Sequence, residues 1–259
     1  MNFNLNTLPL RTERPRNTGL TMVMDKGLSL SEVDDFIETN DTFTDIVKLG
    51  FGTSYLTKHF KEKIKKYQDA GIKLYMGGTF FEAFLVRNQE QDYFNACADY
   101  GFDHVEISDG SITLVHERKC DIITQFAEKF TVLSEVGSKD GEKIIPPYKW
   151  IDLMQKELNA GATYLIAEAR EAGNVGIYRN TGEVREGLID EILTKIPADK
   201  IIFEAPLKAQ QVWFIKLLGT NVNLGNIAPN DVIPLETLRL GLRADTFSHF
   251  LNGEAWLYM

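Results

Sequence analysis

The chain has 259 residues, 44% of them hydrophobic, and a formal net charge of −9. That length suits one large domain with an ample core, and the acidic balance argues against nucleic acid as a partner. The two cysteines, Cys97 and Cys120, have no metal-ligand spacing and fit a reducing, cytoplasmic setting. No apolar run approaches the ~18 residues of a membrane span, so no membrane partner is expected.

Residues 1–19 read as an irregular lead-in punctuated by Pro9, Pro15 and Gly19. Arg11, Arg14 and Arg16 occur there without an apolar h-region, so a signal peptide is not expected. An apolar strand over 20–24 closes on Asp25-Lys26-Gly27, and Ser29 or Ser31 caps the helix that follows. A second strand covers 45–49, ahead of Gly50-Phe51-Gly52-Thr53-Ser54 and a helix over 56–70 stopped at Gly71. The third strand, 72–76, runs into Gly77-Gly78-Thr79 and a helical pattern that continues to about Tyr100.

The fourth strand is His104-Val105-Glu106-Ile107, with Ser108-Asp109-Gly110 as its turn. Val105 and Ile107 share one face and Glu106 and Ser108 the other, because side chains alternate along a strand. A helix over 117–129 leads to the fifth strand, 131–136, and then to a charged loop over 139–147. A helix over 150–160, a strand over 164–169 and a Gly- and Asn-rich loop over 172–187 follow. A helix over 188–196, a strand over 201–205, a helix over 210–218, a strand over 222–225 and a helix over 235–242 complete the pattern. Residues 244–259 form a C-terminal tail whose Phe247, Phe250, Trp256 and Tyr258 are expected to dock.

Eight strand–helix units in this length predict a single-domain (β/α)8 TIM barrel, with a doubly wound open sheet as the competitor. In a barrel the C-terminal strand ends share one mouth. Carboxylates from Asp25, Glu106, Asp109, Glu135, Glu168 and Glu204 would meet there. So would cations from Lys26, Lys48, Lys139, Arg170 and Lys208, and amides from Gln210, Gln211, Asn223 and Asn226. So many carboxylates in one cavity repel each other and need compensation. A hard divalent cation would supply it, Mg²⁺ rather than zinc because no His or Cys is near; pairing with the basic residues is the alternative. Gly77-Gly78-Thr79 and Gly225-Asn226 offer backbone N–H groups suited to an anion. Lys208, Gln210 and Gln211 follow the seventh strand, where barrels often hold phosphate. The sequence contains no HExxH, no Gly-x-Ser-x-Gly and no dinucleotide fingerprint.

The runs Met24-Asp25-Lys26-Gly27, Val47-Lys48-Leu49-Gly50-Phe51-Gly52-Thr53-Ser54 and Gly77-Gly78-Thr79-Phe80-Phe81-Glu82 resemble the phosphosulfolactate synthase family. So do Val105-Glu106-Ile107-Ser108-Asp109-Gly110, Glu135-Val136-Gly137 and Ile202-Phe203-Glu204-Ala205-Pro206. The resemblance implies a (β/α)8 barrel that adds sulfite to phosphoenolpyruvate with Mg²⁺, giving (2R)-phospho-3-sulfolactate for sulfonate biosynthesis, as in the coenzyme M pathway. It implies Lys139, Glu106 and Lys48 as catalytic residues and Glu106, Glu135, Glu168 and Glu204 as the source of the metal ligands. Asp25, Arg170, Lys208, Gln210, Gln211, Asn223, Asn226 and Ser108 are the expected substrate contacts. A homo-oligomer is expected. The family also includes plant heat-stress-associated relatives, which leaves a non-catalytic stress role, or a same-fold lyase acting on another enol phosphate, as alternatives.

Overall fold

The computed structural model describes residues 2–137 and 145–251. Its strands are β1 Thr21–Asp25, β2 Ile46–Leu49, β3 Lys73–Met76, β4 His104–Ile107, β5 Thr131–Val136, β6 Tyr164–Ala167, β7 Ile201–Glu204 and β8 Leu224–Ile227. The helices are α1 Leu30–Asn40, α2 Thr53–Leu56, α3 Phe60–Asp69, α4 Gly78–Leu85, α5 Glu90–Asp99, α6 His116–Ala127, α7 Pro147–Asn159, α8 Glu186–Leu193, α9 Lys208–Leu218, α10 Val232–Arg239 and α11 Ala244–Phe250. The parallel ladder runs β3-β2-β1-β8-β7-β6-β5-β4, and its two end strands lie side by side, so the sheet curls into a nearly closed barrel. This is the single-domain (β/α)8 architecture that the alternation implies.

Side-chain parity divides the core into two layers. Val23, Val47, Leu74, Val105, Val132, Leu165 and Phe203 point outward and pack under the helices. Met22, Ile46, Tyr75, Leu133, Ile166 and Ile202 point inward and fill the barrel. Local chemistry sets the helix ends. Ser29 and Glu32 form a reciprocal capping box on α1, and Pro147 opens α7, where its missing N–H is no loss.

Three expected elements differ in detail. The helix over 56–70 is two pieces, α2 and α3, because His59 takes a left-handed φ of 55° between them. The helical pattern to Tyr100 is likewise two helices, parted at Asn88, φ 56°. The eighth strand starts two residues later than expected, at Leu224. Asn223 therefore sits at the N-terminal end of the barrel, opposite the mouth.

That N-terminal end is closed by polar contacts. Asn223 accepts from the Leu20 N–H at 3.0 Å and donates to the carbonyls of Asp199 and Ile201. The lead-in is tied across the same end: Arg11 pairs with Glu236 at 2.9 Å and Arg16 with Asp45 at 2.8 Å. Arg239, fully buried on α10, donates to the carbonyls of Thr220 at 2.6 Å, Val222 at 2.7 Å and Leu20 at 3.2 Å. It clips the starts of β1 and β8 together. Within the tail, α11 packs against α9 and α10; Trp256 and Tyr258 lie outside the described residues. Replacing Arg239→Met strands the buried carbonyls of Thr220 and Val222 and leaves Leu20 only its bond from the Leu224 N–H; it should cost about 3–5 kcal/mol, read as a lower midpoint in urea unfolding.

Candidate active site

Four strands carry an inward apolar residue followed two positions later by an inward charged one. The pairs are Ile46/Lys48, Leu133/Glu135, Ile166/Glu168 and Ile202/Glu204, with Glu106 added by β4. A period of two on strands of one tilt places the second residues together near the C-terminal mouth. There they line a cavity of about 680 Å³ with Met24, Phe51, Gly77, Gly78, Thr79, Arg170, Glu171, Ala172, Asn174 and Asn226. The volume is in the range of small-molecule sites.

Lys48 is the hub. Its ammonium lies 3.0 Å from Glu106 Oε2, 3.2 Å from Glu204 Oε1 and 3.8 Å from Glu135 Oε2. Burial acts to lower its pKa, but Glu106, Glu204 and their neighbours outweigh burial and hold it well above 10.5. Lys48 is therefore a fixed cation. Tyr75, beneath it in the barrel, is pushed well up by burial and by Glu106, and stays a neutral phenol.

Each carboxylate is also held by the backbone or a hydroxyl. Glu106 Oε1 accepts from the Gly78 N–H at 2.7 Å. This bond crosses between the β3 and β4 ends and caps α4 with the protein's own anion. A Cβ at Gly78 would sit 2.3 Å from Glu106 Oε1, so only glycine allows the approach. Glu204 Oε2 accepts from Ala169 N–H at 3.0 Å and Glu168 Oε1 from Arg170 N–H at 2.5 Å. The Ser108 hydroxyl lies 2.7 Å from Glu135 Oε1 and 2.5 Å from Glu82 Oε1.

Behind β5, buried Lys119 donates to the Glu135 main-chain oxygen at 2.6 Å and pairs with Asp109 at 2.9 Å and Glu157 at 3.0 Å. Burial acts to lower Lys119, yet Glu157 and Asp109 raise it above its ordinary value, so it stays charged and braces the end of β5.

Asn226 enters through an irregularity. Between Thr21/Leu224 and Val23/Ile227 the β1–β8 register slips by one residue, and Asn226 takes a φ of 55°. This bulge turns its side chain into the pocket. Its Oδ1 is buried with no hydrogen-bond partner among the described residues.

The structure thus brings Lys48, Glu106, Glu135, Glu168, Glu204, Arg170 and Asn226 together around one pocket. It does not bring the other expected contacts there. Asp25 has the outward parity of Val23 and binds Lys63 at 2.6 Å and Tyr67 at 3.0 Å, with the N–H groups of Gly27 and Leu28. Asn223 is at the opposite end, as above. Lys208 is exposed and pairs with Asp245 at 2.9 Å. Gln210 holds the carbonyls of Gly173 and Gly182, and Gln211 that of Ala205. Ser108 is wholly buried as the bridge between Glu82 and Glu135 and does not line the pocket. Lys139 lies outside the described residues. Sequence reasoning missed Tyr75 and Glu82; for Tyr75 the signal was present, since it lies one residue beyond outward Leu74 on β3. Among the described residues, no three His, Cys, Asp or Glu side chains are spaced to hold a metal ion; three of the carboxylates converge on Lys48 instead.

Residues 9–245 match the family profile of (2R)-phospho-3-sulfolactate synthase (ComA). The chain belongs to the phosphosulfolactate synthase family. It is 41% identical to the phosphosulfolactate synthase of Bacillus subtilis (strain 168) over 243 residues, covering 93% of this chain and 96% of that one. It is 45% identical to that of Methanocaldococcus jannaschii over 235 residues, covering 88% and 94%. The barrel also resembles 3-hexulose-6-phosphate synthase from Salmonella typhimurium, at a TM-score of 0.51 and 17% identity over 90% of this chain and 99% of that one; this likeness concerns the fold alone. Phosphosulfolactate synthases act on small molecules, and the pocket is of matching size. No helix among the described residues is long and apolar enough to cross a membrane.

Lys48→Met should leave buried carboxylates facing one another and cost about 3–5 kcal/mol. In the parent protein, a lysine raised above 10.5 on folding contributes stability that is fully present below pH 10.5 and lost as pH rises through the higher folded value. Urea midpoints of parent and variant should therefore differ by a constant amount from neutral pH to about pH 10 and converge only at stronger alkali.

Proposed function

We propose that this chain catalyses the addition of sulfite to phosphoenolpyruvate, giving (2R)-phospho-3-sulfolactate. The observation that carries this reading is the convergence of Lys48, Arg170 and four glutamates on one barrel-mouth pocket in a phosphosulfolactate synthase family member. The sulfur lone pair of sulfite forms a bond to the methylene carbon of the enol phosphate. The double-bond electrons move to the neighbouring carbon and spread into the carboxylate. A proton then reaches that carbon, and the phosphate ester stays intact.

Mg²⁺ is the cofactor of this reading, and the donor chemistry fits it. The glutamate oxygens that line the pocket and the buried Asn226 Oδ1 are hard donors of the kind this ion takes. Glu168 and Glu204, with Asn226 Oδ1, would hold the ion. When bound, it supplies Lewis-acid stabilisation of the charge that builds on the substrate carboxylate. The chain's own residues do the rest. Lys48 keeps the ring of glutamates in place and gives the pocket a fixed positive centre. Arg170 presents a guanidinium suited to two oxygens of a sulfite or phosphate group. Lys139, the acid implied by the family resemblance, would donate the proton. Membership in sulfonate biosynthesis, a cytoplasmic setting and a homo-oligomeric state belong to the same proposal.

Protein incubated with phosphoenolpyruvate, sulfite and Mg²⁺ should yield a sulfonated phospho-acid identified by mass spectrometry, and EDTA should stop its formation. Lys139→Ala should lower kcat by about 100-fold or more with the fold retained by circular dichroism. Full turnover in that variant would remove Lys139 from the mechanism, and no product from the parent protein would overturn the reaction.

A further inference from the structure

Beside the active-site pocket lies a larger cavity of about 1460 Å³, between the β6–α8 connection and α9. Asn174 lines both cavities. The connection is a built structure. Tyr178 and Val184 pair in an isolated antiparallel bridge, the Ile177 N–H donates to the Glu168 carbonyl at 3.1 Å, and the Tyr178 hydroxyl donates to the Glu204 carbonyl at 2.6 Å. Gln210 pins the connection's beginning at Gly173 and its hairpin turn at Gly182. A Cβ at Gly176, φ 62°, would fall 1.9 Å from the Glu168 carbonyl oxygen, so the hairpin can seat this closely only with glycine there.

Arg179 and Arg185 project from this hairpin into the cavity wall. Arg185 is half-buried and anchored by one bond, Nη1 to the Gly176 carbonyl at 3.0 Å. Burial lowers its pKa, and Arg179 lowers it further. Among the described residues neither guanidinium has a carboxylate partner. The two nearby acids are engaged elsewhere: Glu186 accepts from Trp213 at 3.1 Å and Glu183 from Thr181 at 3.3 Å. Arg179 is exposed, Arg185 is half-buried, and both line one cavity of a chain of net charge −9, an arrangement of like charges that an anion would relieve.

We propose that Arg179 and Arg185 form a seat for a small tetrahedral oxyanion, a phosphate or sulfonate group, next to the active-site pocket. A guanidinium fork carries parallel N–H donors matched to such oxygens, and both side chains line the same cavity. The anion comes either from solution as a free ion or as the charged end of a molecule bound at the pocket. The seat itself does not depend on the reaction proposed above, so its failure and that reaction's failure are separable.

The test titrates inorganic phosphate into the full-length protein, followed by calorimetry and by tryptophan fluorescence, since Trp213 and Trp150 line the cavity. Saturable binding is expected, weakened by about tenfold or more in Arg179→Gln and restored in Arg179→Lys. Arg179 makes no side-chain bond that holds the hairpin, so its loss leaves the fold intact; an unchanged thermal midpoint checks this. Equal binding by parent protein and Arg179→Gln, or no saturable binding, overturns the seat. Steady-state kinetics then separates the sources. Competition between phosphate and the phosphorylated substrate, with a raised KM and unchanged kcat in Arg179→Gln, identifies the substrate's own charged end. A phosphate effect on kcat that vanishes in Arg179→Gln identifies a free ion. Either result supports the seat.

Discussion

The structure turns on one ammonium group. Lys48 sits inside the barrel among the carboxylates of Glu106, Glu204 and Glu135. Three acids at this depth would repel one another and draw in water without a central cation, and the strand ends that carry them would have to separate. With the cation in place, attraction offsets much of the desolvation cost. The arrangement is better understood as prepositioning than as stabilisation, because a barrel filled with packed hydrophobic side chains would be at least as stable. Its value is that acidic groups are held where dissolved anions and cations can reach them.

The barrel delivers this with little machinery. Two-residue periodicity stacks a charged layer above an apolar one, and outward residues of opposite parity fasten the strands to the helices. The mouth also shows how the fold uses its own dipoles. A helix N-terminus at a barrel mouth is a ready anion site, but α4 is already capped by Glu106 through Gly78. That bond joins the two strands at the ends of the hydrogen-bonded ladder. The Gly78 N–H is thereby spent inside the protein, and the cationic groups at this mouth are side chains, Lys48 and Arg170 among them.

Much of this was legible in the sequence, for a clear reason. Alternating polarity in short strands reports directly on which side chains share a face, so Glu106, Glu135, Glu168 and Glu204 could be gathered before any coordinates. The same logic fails at strand ends, where one residue of offset reverses the face a side chain takes. Asp25 has the outward parity of Val23 and serves the turn before α1. Asn223 was misplaced because a two-residue error in a strand start moves a side chain to the other end of the barrel. Asn226 reached the pocket for a reason no pattern shows, a register slip with a left-handed residue. Gln210 and Gln211 carry polar groups suited to a ligand, but backbone carbonyls claim them first, and only tertiary contacts reveal that.

The connection after β6 is moored to Glu168 and Glu204 twice over. Their carbonyl oxygens take the Ile177 N–H and the Tyr178 hydroxyl, and their carboxylates take the Arg170 and Ala169 N–H groups at its root. The roof over the pocket and the acids within it are therefore one mechanical unit. Rewriting either acid would loosen the cover as well as change the chemistry beneath it.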